Sequence, residues 1–193
     1  MAMTPSQLGA LLKKVGVNAE FNEEDQYFVF SLGTEVFKDQ EGDNCLLMAI
    51  DIWEDGEFLQ FICPRLYNVK DCPHKAAVFE AALVMAWRTK SLGYEYHPDS
   101  GELRAVFELP LEDAQLTERQ LGRILKMVYD LVEAYDPVIR SAIATGKIDM
   151  ELAGSKRPDP EAAKNREVED LIAELGGVDK LRELAAKNKT PGG

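Results

Sequence analysis

The stretch Cys45–Pro64 leaves this chain the least freedom. Two alternating runs rich in apolar residues flank Asp55-Gly56, the dipeptide that favours a two-residue type I′ hairpin turn. Setting Glu54 opposite Glu57 fixes every other pair. Ile52 then faces Leu59, Ile50 faces Phe61 and Met48 faces Cys63, so one face is wholly apolar. The other face pairs Trp53 with Phe58, Asp51 with Gln60 and Ala49 with Ile62. A slip of one residue would move the apolar set to the wrong side, so the register is strongly specified. The first face belongs under helices. The second exposes Leu47, Trp53, Phe58 and Ile62 beside polar neighbours, which makes those four the candidate partner-binding residues. The plainer outcome is that the long helix or the C-terminal tail packs over them.

The second organising unit runs from Lys75 to Ile143. Asp71-Cys72-Pro73 reads as a helix start, with proline in the first turn. From Ala76 to Trp87 nearly every residue is apolar, the mark of a core helix rather than a surface one. Gly93 fits its stop. The period then changes to alternation, with Tyr94 and Tyr96 on one face, the turn Pro98–Gly101, and Leu103, Ala105, Phe107 and Leu109 on the return. If His97 pairs with Glu102, Glu95 meets Arg104, an opposite-charge pair across the strands. Pro110 ends the strand. Thr117 with Gln120 is a capping box, and Leu121, Ile124, Leu125, Val128, Leu131, Val132 and Tyr135 follow at helical spacing. That spacing leaves Arg123, Lys126, Asp130 and Glu133 for water. Asp136-Pro137 predicts a break and a restart with Asp136 as cap, ending at Gly146.

Upstream, Thr4-Pro5-Ser6-Gln7 is another capping box. It opens a helix carrying Leu8, Leu11, Leu12 and Val15, with Gly16 as stop. Tyr27–Leu32 is aromatic and β-branched enough for a first strand, with Thr34–Phe37 as a candidate extension. These elements predict an α+β domain over 1–146, an antiparallel sheet of about five strands packed with helices. Residues 147–158, with Gly154-Ser155-Lys156-Arg157-Pro158, read as a linker. Residues 159–189 read as an amphipathic helical tail, with stripes Val168, Leu171, Ile172, Leu175 and Val178, Leu181, Leu184, Ala185. Helices so short are marginal alone, so the tail is expected to dock on its own domain, a second subunit or a partner.

Charge and chemistry narrow the function. A net charge of −12 over 193 residues argues against nucleic acid and anionic lipid as partners. No spanning helix or leader is read, and three cysteines, an odd number, suit a reducing cytoplasm. His74 beside Cys72, with Cys63 more distant, lacks the paired spacing of a structural zinc site. Those three residues remain the alternative, a pocket for a small ligand or an enzyme. Asp39–Asp43 is acidic, but its glycine and the missing twelfth-position glutamate do not fit a calcium loop. No phosphate-cradling glycine loop is present. No cofactor or metal is expected.

The order of elements resembles the type III secretion chaperone-like fold, and within it the YbjN-like family. The matching residues are a helix ending Leu92-Gly93 and a hairpin Tyr94-Glu95-Tyr96 to Gly101-Glu102-Leu103. They continue through a strand ending Glu108-Leu109-Pro110-Leu111 and a helix from Leu116-Thr117-Glu118 to Asp136-Pro137-Val138-Ile139. The resemblance implies an α+β sandwich that commonly dimerises, holds flexible or amphipathic segments of other proteins, is not an enzyme, and has loose links to stress responses and regulation. It carries no set of functional residues. The chain is therefore expected to be a cytoplasmic homodimeric binding protein of the chaperone or adaptor kind.

Overall fold

The computed structural model describes residues 2–89 and 91–154. The expected tail helices of 159–189 lie outside the described residues. The elements are α1 (Pro5–Lys14), β1 (Glu20–Asn22), β2 (Tyr27–Gly33), β3 (Cys45–Trp53), β4 (Phe58–Asn68), α2 (Lys75–Arg88), β5 (Gly93–His97), β6 (Glu102–Pro110) and α3 (Glu118–Thr145). Six strands form one antiparallel sheet in the order β1-β2-β3-β4-β6-β5. The α+β architecture is as expected. The added strand is β1, too short to stand out by alternation, and Phe21 secures it by packing on Phe28 with ring centroids 4.6 Å apart.

Both hairpins adopt the expected registers. Ile52 lies opposite Leu59 and Trp53 opposite Phe58, while His97 lies opposite Glu102 and Glu95 opposite Arg104. At the first tip Asp55 and Gly56 take positive φ of 54° and 97°, and Glu57 N–H donates to Glu54 C=O at 3.1 Å. The tip is itself packed. Met3 N–H donates to the Gly56 carbonyl at 2.9 Å, and a Cβ on Gly56 would come within 2.2 Å of the Met3 oxygen. Only glycine fits there.

One face of the sheet carries the core. Phe28, Phe30, Leu46, Met48, Ile50, Leu59, Phe61, Cys63, Leu103 and Ala105 pack with Leu8 and Leu12 of α1, Val78, Ala81, Ala82 and Met85 of α2, and Leu121, Leu125, Val128, Val132 and Ile139 of α3. Each fully buried large side chain contributes roughly 1.5–3 kcal/mol. By strand register those ten strand residues share one face, so α1, α2 and α3 lie on one side of the sheet; across the register shift between Cys63 and Tyr67, both Leu66 and Tyr67 of β4 also join the cluster.

Both capping boxes form, at Thr4/Gln7 and Thr117/Gln120. Gly146 closes α3 in the left-handed conformation at φ 71°. Other expectations are corrected. Helix α2 starts at Lys75, with His74 rather than the Asp71-Cys72-Pro73 signal at its cap, and Gly93 opens β5 instead of stopping the helix. Nor is α2 a core helix on all sides, because Leu83 is 72% exposed and Trp87 90% exposed.

Asp136-Pro137 does not break α3, which runs unbroken from Glu118 to Thr145. Proline removes one helical hydrogen bond, but packing on either side of it holds the helix together. Asp136 is only 2% exposed and accepts the Tyr67 hydroxyl at 2.9 Å, while Arg140 Nε binds its carboxylate at 2.9 Å. Arg140 also donates to the Lys38 carbonyl and lies over the Phe37 and Tyr67 rings. Glu133 is not left to water. Its carboxylate accepts the backbone N–H groups of Glu35, Val36 and Phe37 at 2.7–3.2 Å. Thr34–Phe37 is therefore a loop clamped to α3 rather than an extension of β2. Beyond Gly146 the chain turns back along α3, and Gly154 N–H reaches the Ala134 carbonyl at 2.9 Å.

Candidate functional site

Among the described residues no helix packs on the sheet face opposite α1, α2 and α3, and this helix-free face is ordered into rows by strand pairing. Nearest the Asp55-Gly56 tip, Trp53, Phe58 and Pro110 stand side by side. The next row runs Tyr27, Asp51, Gln60, Glu108, and the next Val29, Ala49, Ile62, Val106. Trp53 is 54% exposed, Phe58 and Leu47 are half-buried, and Ile62 is buried at 5%. All four candidate residues share this face. Ile62, Ala49 and Val106 are buried yet stand outside the helix-side core. Leu47 borders a small hollow of about 130 Å³ with Ser31, Cys45, Pro64 and Arg65.

The face is apolar but laced with carboxylates. Gln60 Nε2 donates to Glu108 Oε1 at 3.3 Å. Arg104 is committed to Glu95, with Nε and a terminal nitrogen 2.8 and 2.7 Å from Oε2. Burial raises the Asp51 carboxyl above the usual carboxylate range, against the pull of Arg104 and with a smaller push from Asp25. No described residue donates a hydrogen bond to the Asp51 side chain.

A second apolar surface runs along the outside of α2. Ala76, Glu80, Leu83 and Trp87 recur at helical spacing and are all exposed. On its inner flank Phe79 packs on Tyr96, with centroids 4.7 Å apart.

The thiol and histidine alternative gains no geometry. Cys63 is fully buried, and desolvation pushes its thiol far up, away from the reactive thiolate. The Cys72 thiol points to the Ile143 carbonyl at 3.7 Å. The His74 ring lies where a Cβ on Gly146 would meet it at 2.7 Å. Among the described residues no three histidine, cysteine or acidic side chains gather as a metal site. Among them too, no helix is long and apolar enough to cross a membrane.

No family model matches the chain, and no curated protein matches it in sequence. YbjN from E. coli, described as a candidate transcription regulator, superposes with a TM-score of 0.49 at 12% identity, over 73% of this chain and 92% of that one. The HopA1–SchA chaperone–effector complex gives 0.43 at 19% identity, over 66% of this chain and 86% of that one. Both likenesses concern the fold alone, and the surfaces of this chain have to speak for themselves.

Sequence reasoning found one of those surfaces and missed the other. Trp53 and Phe58 were legible because a hairpin of known register has two faces, and only one can lie under helices. Leu83 and Trp87 were hidden by their neighbours, since an apolar run gives no sign of which side is inward. One signal was available. A single sheet with helices on one side offers α2 one layer to bury against, so a helix apolar all round must keep an apolar side outward.

Proposed function

We propose that this chain is a non-enzymatic, cytoplasmic protein-binding module of the chaperone or adaptor kind. It holds an apolar segment of a partner on the helix-free sheet face, at Leu47, Trp53 and Phe58, while Ile62, expected from the sequence to join them, is already buried and supports that surface rather than contacting the partner. The observation that carries the proposal is Trp53, a large aromatic side chain 54% exposed beside Phe58 on the face turned away from all three helices. Buried aromatic anchors dominate binding energy at protein interfaces. The cytoplasmic assignment is supported by three unpaired cysteines.

Self-association belongs to the same proposal and falls to α2. Leu83 and Trp87 lie one turn apart and exposed, on a helix whose charges are Lys75, Glu80 and Arg88. In a chain of net charge −12, that is a surface where two copies meet with little repulsion.

Affinity capture with the full chain tests the sheet face. Trp53→Asp with Phe58→Asp is expected to lose the proteins that co-purify with the unmodified chain, while circular dichroism and melting temperature stay unchanged. The same proteins retained in the same amounts by a folded variant would refute the assignment.

A further inference from the structure

At one edge of the sheet the last two strands stop at different places. β5 pairs with β6 only as far as Gly93 opposite Val106, while β6 stays paired to β4 on its other side as far as Pro110 opposite Phe58. Phe107–Pro110, about 14 Å of strand, therefore has a strand on one side and none on the other among the described residues. The step beyond Gly93 is an open space of about 420 Å³ bordered by Ser91, Gly93, Glu95, Phe107 and Glu108. Leu92, which leads into β5, is buried in the helix-side core, so the chain enters from that side and leaves the line of β5 clear.

The backbone along that step is what selects an occupant. A Cβ on Gly93 would lie 3.8 Å from the Val106 carbonyl oxygen, so Val106 turns its polar backbone toward β5. In an antiparallel ladder every second residue does the same, which points Glu108 N–H and C=O and the Pro110 C=O into the open step. No described group hydrogen-bonds them there. An apolar ligand would bury these groups without partners. Two copies joined about their Glu108 residues would set like charges directly opposite, which is destabilising. An extended backbone presents a donor and an acceptor at every second residue, the spacing the step offers.

On the reading that this chain holds a partner segment, we infer that the segment is bound as an added strand against Phe107–Pro110 of β6, in line with β5. Its central residue exchanges two backbone hydrogen bonds with Glu108, so that residue is not proline. The residues on either side of it are apolar and cover Phe107 and Leu109, which are half-buried on the helix side of the sheet. A residue two places from the centre stands beside Pro110 and extends the row Trp53, Phe58, Pro110, which joins the edge to the binding face.

The probe is a peptide selected from a phage-displayed random library against the immobilised full chain. Amide hydrogen exchange read by NMR should show the Glu108 N–H exchanging fast in the isolated chain and about tenfold or more slowly with the peptide bound. N-methylation of the peptide amides one at a time should weaken binding about tenfold at alternate residues and little between them. A Glu108 amide already slow in the isolated chain, one that stays fast with the peptide bound, or an N-methyl profile without alternation would overturn the inference. If the amide stays fast but the peptide is lost on Trp53→Asp with Phe58→Asp, shown folded by its thermal melt, the binding face stands without the added strand. A fast amide with binding untouched by that variant would overturn both. A slowed amide with binding untouched by it would uphold the strand and move the rest of the site off the face.

Discussion

The helix-free sheet face and the outer stripe of α2 both present large apolar side chains to solvent, and they differ in charge. The face interleaves Asp51 and Glu108 with its apolar rows, with Glu20 at its edge and Arg104 already paired to Glu95. The stripe carries only Glu80 between Ala76, Leu83 and Trp87, with Lys75 and Arg88 on the same helix. Exposed apolar area alone does not say what covers it, but charge sorts the occupants. An acidic chain can pair with itself where its carboxylates are fewest.

The largest expected effect breaks or upholds that sorting. Trp87→Asp should weaken self-association by about 2–4 kcal/mol, the scale of an interface hot spot, as read by sedimentation velocity over a range of concentrations. Trp53→Asp should leave self-association unchanged and remove partner capture. A reversed outcome would exchange the two roles.

Next in size is a change that should touch neither surface. Asp136→Ala orphans the buried Tyr67 hydroxyl and releases Arg140, and should lower stability by about 2–3 kcal/mol in chemical denaturation. Glu133→Ala should cost about 1–2 kcal/mol by freeing three backbone N–H groups, and should speed proteolysis of the 34–43 loop. If either change abolished partner capture while the chain stayed folded, binding would depend on the clamped loop and not on the sheet face alone.

The smallest effect is with pH. Burial raises the Asp136 and Asp51 carboxyls above their ordinary values, Asp136 against the pull of Arg140 and Tyr67. A carboxyl with a raised folded-state pKa holds its proton longer in the folded chain. These two groups therefore make stability fall as pH rises from about 4 through the folded-state values. Asp136→Asn should flatten that fall in melting temperature, and Asp51→Asn should do so less, because its side chain is only half-buried. A steeper fall in either variant would contradict the sign.

The sequence was most legible where local chemistry and burial agree. The Asp55-Gly56 turn, the alternation around it and the two capping boxes each specify one geometry, and each appears as expected. It was least legible where distant contacts decide. Nothing local to Asp136-Pro137 shows that Tyr67, 69 residues away, will bind the aspartate and help to hold the helix through the proline. Glu133 reads as a solvated helix charge until the 34–37 backbone folds onto it. The candidate face followed from register alone. The α2 stripe did not, because outward and inward apolar residues look alike in a sequence.

Hydroxyl-radical footprinting of the unmodified full chain tests the account most directly, since Trp53 and Trp87 are its two tryptophans. Trp87 should lose reactivity as the chain is concentrated, with Trp53 unchanged, and Trp53 and Phe58 should lose it only when a captured partner is added. A Trp53 already protected in the dilute isolated chain, or unprotected in a saturated complex, would contradict the claim that this face exists to be covered by another protein.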